Sequence, residues 1–372
     1  MTIAIDCRYI RERPSGIGTY VEAIVERLPA LAPNDQFLLW KHRRAPGPLS
    51  QAPNVIEHVV PAEPNTLSTI LWPQRYASFA GVKLFHGAHN ILPRNIPCRS
   101  VVTIHDILEL EAPYLIDRTW GDTVKRFYFP RAIARAIRSA TRLIVTTNAM
   151  ADAVIKYHPK ARARLVVIPL AAGVPFRPPS HKESARQQAA EIIGTDAPFF
   201  LVVGHNNRRK QHWLALEAFA RAASAPWRLV LLQRQDTGRG LLKLANQLGI
   251  TDRIVWLGPI KAEEMIALYQ SARALIQPSL YEGFGLPVLE AMACGCPVIA
   301  SDLATLREVI GDAGVFVPPT DVAGFARAFG ELARSEQRQA ALSHAARERA
   351  RMFSWDRCAQ QTLDTYRAAV HS

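Results

Sequence analysis

Residues 278–300 read Pro278-Ser-Leu-Tyr-Glu282-Gly283-Phe284-Gly285-Leu286-Pro287-Val-Leu-Glu290-Ala-Met-Ala-Cys-Gly-Cys-Pro297-Val-Ile-Ala300. A short apolar run, Ala274–Gln277, precedes this segment and reads as a strand. A Gly-Phe-Gly loop follows it, and a helix is expected from about Leu286, with Pro287 in its first turn, where the missing N–H costs nothing. A second strand is expected at Pro297–Ala300. A strand, a glycine loop, a helix and a strand in succession form a βαβ unit of a parallel sheet. The loop N–H groups of Gly283, Phe284 and Gly285 can donate to an anion or a sugar oxygen. Glu282 and Glu290 flank the loop eight positions apart, so one element presents two carboxylates to a polyhydroxylated ligand.

The same alternation extends in both directions. Towards the C-terminus the next strand is expected at Val315–Val317, and towards the N-terminus at Ile254–Leu257, Arg228–Leu232 and Phe199–Val203, with helices near 210–224, 239–248, 261–272 and 286–294. Gly173-Val-Pro-Phe-Arg-Pro-Pro-Ser180 interrupts it and reads as a linker. Before the linker, strands are expected at Ile3–Asp6, Phe37–Trp40, Val55–Val59, Lys83–His86, Val101–Ile104, Leu143–Thr146 and Leu165–Ile168. Helices are expected at Gly18–Leu31, Thr119–Ala140 and Asn148–Tyr157. Two α/β halves of similar size follow, each a doubly wound parallel sheet, in a chain of 372 residues. In such sheets ligands bind beyond the carboxyl ends of the strands.

Composition narrows the functional classes. Hydrophobic residues make up 49% and charged residues 21%, which excludes a disordered or fibrous chain. The net charge of +13 is uneven: residues 1–180 carry 23 basic and 13 acidic side chains, residues 181–372 carry 22 and 19. The first half therefore expects an anionic partner. Five cysteines (Cys7, Cys98, Cys294, Cys296 and Cys358) show neither a zinc nor a redox spacing and are expected to be reduced thiols of a cytoplasmic protein. No apolar run is long enough to span a membrane, so any membrane contact is expected to be peripheral.

Three further motifs stand just after strands. Ser15-Gly16-Ile17-Gly18 opens the first helix with two glycines, but the full dinucleotide pattern is absent because Val21 holds the third glycine's place. A tight turn at a helix start explains these glycines as well as a ligand does. His105-Asp106 follows Val101–Ile104, where it suits a hydroxyl-rich substrate or a proton shuttle, or simply satisfies a neighbouring backbone group. Gly204-His-Asn-Asn-Arg208-Arg209-Lys210 follows Phe199–Val203. Three cations at a helix start oppose its dipole at a cost of up to about 1 kcal/mol, an arrangement that suits a bound diphosphate.

The Glu282-to-Glu290 string with Gly-Phe-Gly-Leu-Pro inside it resembles the E-x7-E signature of retaining glycosyltransferases of family 4. The likeness extends through Gly16 and Gly18, His105-Asp106, the Arg209-Lys210 loop and the closing Phe353-Ser354-Trp355…Tyr366 segment. It implies the GT-B fold, with two Rossmann-like domains facing a cleft. On that pattern residues 1–176 form the acceptor-side domain and residues 177–354 the nucleotide-sugar domain. A helix over residues 355–372 crosses back to the first domain. The resemblance implies that Gly16, Gly18, Gly204, Arg208, Arg209 and Lys210 serve the donor phosphates. It gives Glu290 the ribose, and Glu282, Gly283, Phe284, Gly285 and Leu286 the donor sugar, with His105 beside the transferred group. His205 departs from the pattern, because many members have arginine there, and Arg208 is the expected substitute. Catalytic roles fall to His105, Glu282, Arg209 and Lys210, with no metal and no cofactor. On this reading Lys210→Ala would cut turnover and leave folding nearly intact.

The resemblance leans towards bacterial polysaccharide mannosyltransferases that use GDP-mannose, with a glycan or polyprenyl-diphosphate-linked acceptor. A UDP-sugar donor, or a sugar-nucleotide epimerase of the same fold, is the alternative. Arg131, Arg135, Arg138 and Arg142 recur at steps of four, three and four and are expected to line one helix face, either solvated or facing anionic lipid or acceptor. A nucleic-acid partner would match the charge, but no helix-turn-helix, zinc or aromatic-ladder motif accompanies it.

Overall fold

The computed structural model describes residues 1–12, 15–64, 66–117, 123–222, 226–232 and 239–372. The beginning of the helix expected from Thr119 and the end of the one expected to reach 224 lie outside the described residues. The chain forms two compact units. The first comprises Met1–Pro113, Arg118–Leu170 and Ser354–Ser372, and the second Tyr114–Asp117 and Ala171–Phe353. The proline-rich stretch 171–180 carries neither helix nor strand.

The strands of the first unit are β1 (Thr2–Asp6), β2 (Gln36–His42), β3 (Val55–Val60), β4 (Val82–Gly87), β5 (Arg99–Ile104), β6 (Arg142–Val145) and β7 (Leu165–Val167). They form one parallel sheet in the order β3-β2-β1-β4-β5-β6-β7. The second unit has β8 (Phe199–Val203), β9 (Arg228–Leu232), β10 (Ile254–Leu257), β11 (Leu275–Gln277), β12 (Val298–Ser301) and β13 (Val315–Val317). These are also all parallel, in the order β10-β9-β8-β11-β12-β13. Central strands such as β8, Phe-Phe-Leu-Val-Val, are buried on both faces, which is why they read as continuous apolar runs rather than alternating ones.

In both sheets the strand order reverses beside the first strand, between β1 and β4 and between β8 and β11. Loops that leave the carboxyl ends of these four strands diverge and open a crevice in each unit. They are the loops that carry Gly16 and Gly18, the residues after Gly87, Gly204–Lys210 and Pro278–Gly285.

Local chemistry starts the helices. Ser15 caps Gly16–Leu31 by accepting a hydrogen bond from Gly18 N, and Ser354 does the same for Trp355–Val370 through Arg357 N. This last helix packs on the first unit: Tyr366 is fully buried, and its hydroxyl meets His86 Nδ1 at 2.6 Å. Four helices of the second unit go beyond those expected: Lys182–Ile193, Ala304–Ile310, Val322–Arg334 and Glu336–Ala350. The last of these buries only Leu342, Ala346 and Ala350, and two alanines in three leave almost no apolar pattern. All five cysteines are free thiols.

Candidate functional site

In the second unit, Lys210 and Glu282 form a buried ion pair, 8% and 7% exposed. Lys210 Nζ donates to Glu282 Oε1 at 2.6 Å. The same oxygen accepts from Gln277 Nε2 and Ser279 Oγ, each at 2.6 Å, and Gln277 Nε2 also reaches Ser279 Oγ at 2.9 Å. Three donors converge on Oε1, and none of the three bonds uses Oε2. Burial opposes the charge on Glu282. The Lys210 ammonium outweighs it, with help from Arg209, and holds the carboxyl below its usual range. Burial pulls Lys210 down, against the pull of Glu282.

The two loops are also joined through the backbone. Leu280 N donates to the carbonyl of Arg209 at 2.7 Å. Asn207 Oδ1 accepts from Lys210 N at 3.1 Å, and Gln211 Nε2 donates to the carbonyls of Pro278 (2.9 Å) and Pro319 (2.7 Å). Arg208 N donates to Asp117 Oδ2 at 3.1 Å, so the short stretch Tyr114–Asp117 belongs to this unit. The side chains of His205 and Arg208 are exposed.

Gly285 caps the helix Leu286–Ala293 with φ +94°, and a Cβ there would stand 2.8 Å from Leu306 Cδ2. Backbone conformation and packing both require glycine, so the Gly283–Gly285 loop is held in place against the helix start. Glu290, a turn further on, is half-buried, and its Oε2 accepts from Tyr269 Oη at 3.4 Å.

Burial of the ion pair corrects the expectation that Lys210→Ala would leave folding nearly intact. Removing the ammonium strands the Glu282 carboxylate in a low-dielectric interior. Spacing alone could not reveal Gln277 and Ser279 as holders of Glu282, although a glutamine ending an otherwise apolar strand is a usable signal.

In the first unit, a buried polar chain lies at the carboxyl ends of β1, β4 and β5. Asp6 takes Arg8 Nε at 2.8 Å and Nη2 at 2.6 Å, and accepts from His89 Nε2 at 3.0 Å. Burial opposes the Asp6 charge, but Arg8 and His89 hold the carboxyl far below its usual range. Thr103 Oγ1 lies 2.9 Å from Tyr20 Oη and 2.8 Å from His86 Nε2. His105 Nε2 donates to the carbonyl of Ala88 at 3.0 Å, its backbone N donates to Asn90 Oδ1 at 2.7 Å, and Tyr20 packs edge-on against its ring. Burial pushes His105 down to about 4. A neutral imidazole tethered to a carbonyl suits hydrogen bonding to a substrate better than proton shuttling near pH 7.

The two N-terminal glycines have different surroundings. A Cβ on Gly18 would lie 2.6 Å from the carbonyl of Tyr9, so close packing explains this glycine, and its N–H is occupied by Ser15. Gly16 faces open space.

The expected arginine stripe does not form. The helix is Thr123–Ser139, and Arg142 begins β6, where its guanidinium bonds the carbonyl of Ala163 and the hydroxyl of Ser372. Arg135 is half-buried and donates to the carbonyls of Leu92 and Pro93. Arg131 and Arg138 remain exposed on the helix. A chain break in the helical pattern at Ala140-Thr141 carries no strong sequence signal, so a four-residue spacing continues across it by coincidence.

Buried neutral histidines make stability depend on pH. Burial pushes His86 and His212 down to about 3, far below the 6.5 of a free imidazole. Between those values the unfolded chain binds protons that the fold excludes, so stability is complete above about pH 6.5 and falls as pH drops towards 3. Each histidine contributes up to about 1.4 kcal/mol per pH unit in that window. Urea midpoints are expected to fall clearly from pH 7.5 to pH 5, less steeply in His86→Gln. A flat profile in the parent protein would reject this.

Residues 183–349 match the family model described as glycosyl transferases group 1, a stretch within the second unit. Across 97% of the chain and 98% of that protein, the fold superposes on WaaG, a glycosyltransferase involved in lipopolysaccharide biosynthesis, with a TM-score of 0.77 at 18% identity. The fold is GT-B, and the second unit resembles the glycosyl transferases group 1 family. Among curated proteins the chain is similar to O-antigen chain mannosyltransferase B of Escherichia coli, 28% identical over 299 residues, covering 76% of this chain and 74% of that one. It is 32% identical over 244 residues to D-inositol 3-phosphate glycosyltransferase of Mycolicibacterium smegmatis, 63% of this chain but only 55% of that enzyme. The chain thus resembles bacterial polysaccharide mannosyltransferases.

Proposed function

We propose that this protein is a retaining hexosyltransferase of the family 4 type, which moves mannose from GDP-mannose to a glycan or polyprenyl-diphosphate-linked acceptor during cell-surface polysaccharide synthesis. The observation that carries the reading is the joined pair of loops after β8 and β11. They bring Arg209, Lys210 and the Gly283–Gly285 amides to adjacent strand ends of one sheet, with Lys210 locked to Glu282. The name of the Escherichia coli relative supports mannose and an O-antigen type of acceptor.

In the proposed reaction the bond from the anomeric carbon to the donor phosphate breaks, and a bond to the acceptor oxygen forms on the same face. The acceptor's proton passes to the departing phosphate oxygen. Arg209 and Lys210 neutralise the charge that develops on the diphosphate. Glu282 orients Lys210, Glu290 receives the ribose hydroxyls, and His105 hydrogen-bonds the transferred sugar. Arg208, exposed on the same loop, takes the phosphate contact that His205 does not make. With cationic side chains in this role, no metal and no cofactor is required.

A panel of sugar nucleotides tests the reading. GDP-mannose is expected to be consumed only when acceptor is present, with unchanged turnover in EDTA. Consumption of a UDP-sugar instead would move the donor assignment, and product formation without acceptor would favour an epimerase.

The site of action proposed is the inner face of the cell membrane, with the protein held there as a peripheral cytoplasmic component. No helix among the described residues is long and apolar enough to cross a membrane. Exposed Phe127 and Trp72 stand beside Arg131 and Arg75 respectively, aromatic and cationic groups that suit an interface of anionic lipid. Co-sedimentation with phosphatidylglycerol vesicles is expected to rise with the anionic fraction and to fall with salt. Equal binding to neutral vesicles would count against it.

A further inference from the structure

At the amino ends of β5 and β6, away from the loops described above, the first unit holds a cavity of about 600 Å³. Arg99, Arg138, Arg142, Lys160 and Arg164 line it together with His158 and Ser372, and no acidic side chain lines it. Among the described residues no acidic side chain pairs with any of the five cations.

Part of the cluster is already held in place. Arg164 donates to the carbonyls of Ile137 (3.0 Å) and Ala140, and so caps the end of the helix Thr123–Ser139. Arg142 is held by the carbonyl of Ala163 at 3.2 Å and the hydroxyl of Ser372 at 2.9 Å, while its Nε is shut off from water without an acceptor. A buried donor left unmatched costs about 1–3 kcal/mol, and five like charges around one cavity add repulsion. The helix-end carbonyls relieve only Arg164. A compact ligand with several negative oxygens would relieve the repulsion among the exposed cations Arg99, Arg138 and Lys160 and match the planar guanidinium forks.

We propose that this cavity binds a multiply charged phosphate, either a diphosphate or a phosphomonoester, at a second anion site remote in the sequence from the donor loops. Inorganic pyrophosphate is the first probe, applied to the full chain at constant ionic strength and followed by hydrogen–deuterium exchange. Amides within 97–101 and 158–166 are expected to exchange more slowly with pyrophosphate than with chloride. In Arg99→Gln/Lys160→Gln that protection is expected to require at least about tenfold more ligand, as two charge-assisted contacts are lost. Both side chains are exposed, so the variant should keep the fold, which unchanged exchange elsewhere verifies. Any pyrophosphate taken up by the donor loops protects 204–213 instead and is indifferent to this variant, so the two sites are read separately.

Vesicles containing phosphatidic acid distinguish the ligand's source. Protection by these vesicles but not by pyrophosphate assigns the phosphate to a lipid headgroup, and the reverse assigns a free ligand. Protection by neither, or equal protection in the double variant, overturns the proposal.

Discussion

Lys210→Ala is expected to lower turnover by roughly two to three orders of magnitude and to destabilise the second unit by about 3–5 kcal/mol. The two effects have separate causes. Turnover falls because a cation that neutralises the leaving diphosphate is gone. Stability falls because Glu282, 7% exposed, keeps its charge but loses its ammonium partner and retains only Gln277 and Ser279 as donors. A second variant separates the causes. Lys210→Met/Glu282→Gln removes both charges and should recover most of the stability while turnover stays low. Chemical denaturation of both variants, beside steady-state rates at saturating donor, checks this. Recovery of turnover along with stability would show that Lys210 acts only on the fold.

Asp6→Ala is expected to cost the first unit a comparable 3–5 kcal/mol. Arg8 is 2% exposed, and the two bonds from its guanidinium to Asp6 are that group's only hydrogen bonds to a carboxylate among the described residues. The guanidinium's remaining hydrogen bonds, to the carbonyls of Ala62 and Glu63 at 3.3 Å, cannot neutralise its buried charge. His89 loses its acceptor in the same step. Asp6→Asn keeps an oxygen for one donor but not the charge, so it should fall between the parent and Asp6→Ala. Because the chain has two compact units, unfolding should be followed by probes in each, and only the first unit's transition should move. An unchanged midpoint in Asp6→Ala would mean that the ion pair contributes nothing net.

Much of the fold was legible in the sequence because parallel strands buried on both faces leave continuous apolar runs. Phe199–Val203, Arg228–Leu232, Ile254–Leu257 and Val315–Val317 are strands with the expected ends. Helices whose buried face is made of alanine were not legible, as in Glu336–Ala350, since alanine contributes little hydrophobic contrast. Arg131 to Arg142 misled for a related reason: side-chain spacing does not report where a helix stops, and β6 begins within the apparent stripe.

The sequence by itself determined the alternating α/β architecture and put the glycine, arginine and glutamate motifs just after strands, because those features depend on residues near one another in the chain. Only the tertiary structure decided what each motif residue touches. Glu282 is separated from Lys210 by 72 positions, and the ammonium joins the local donors Gln277 and Ser279 at one oxygen only because β8 and β11 are neighbours in the sheet. His86 and Tyr366 lie 280 positions apart, and Arg142 and Ser372 lie 230 apart. Desolvation follows from such long-range packing, so the charge state of Lys210, the neutrality of His86 and the unpaired cations around Arg142 are properties of the folded chain alone.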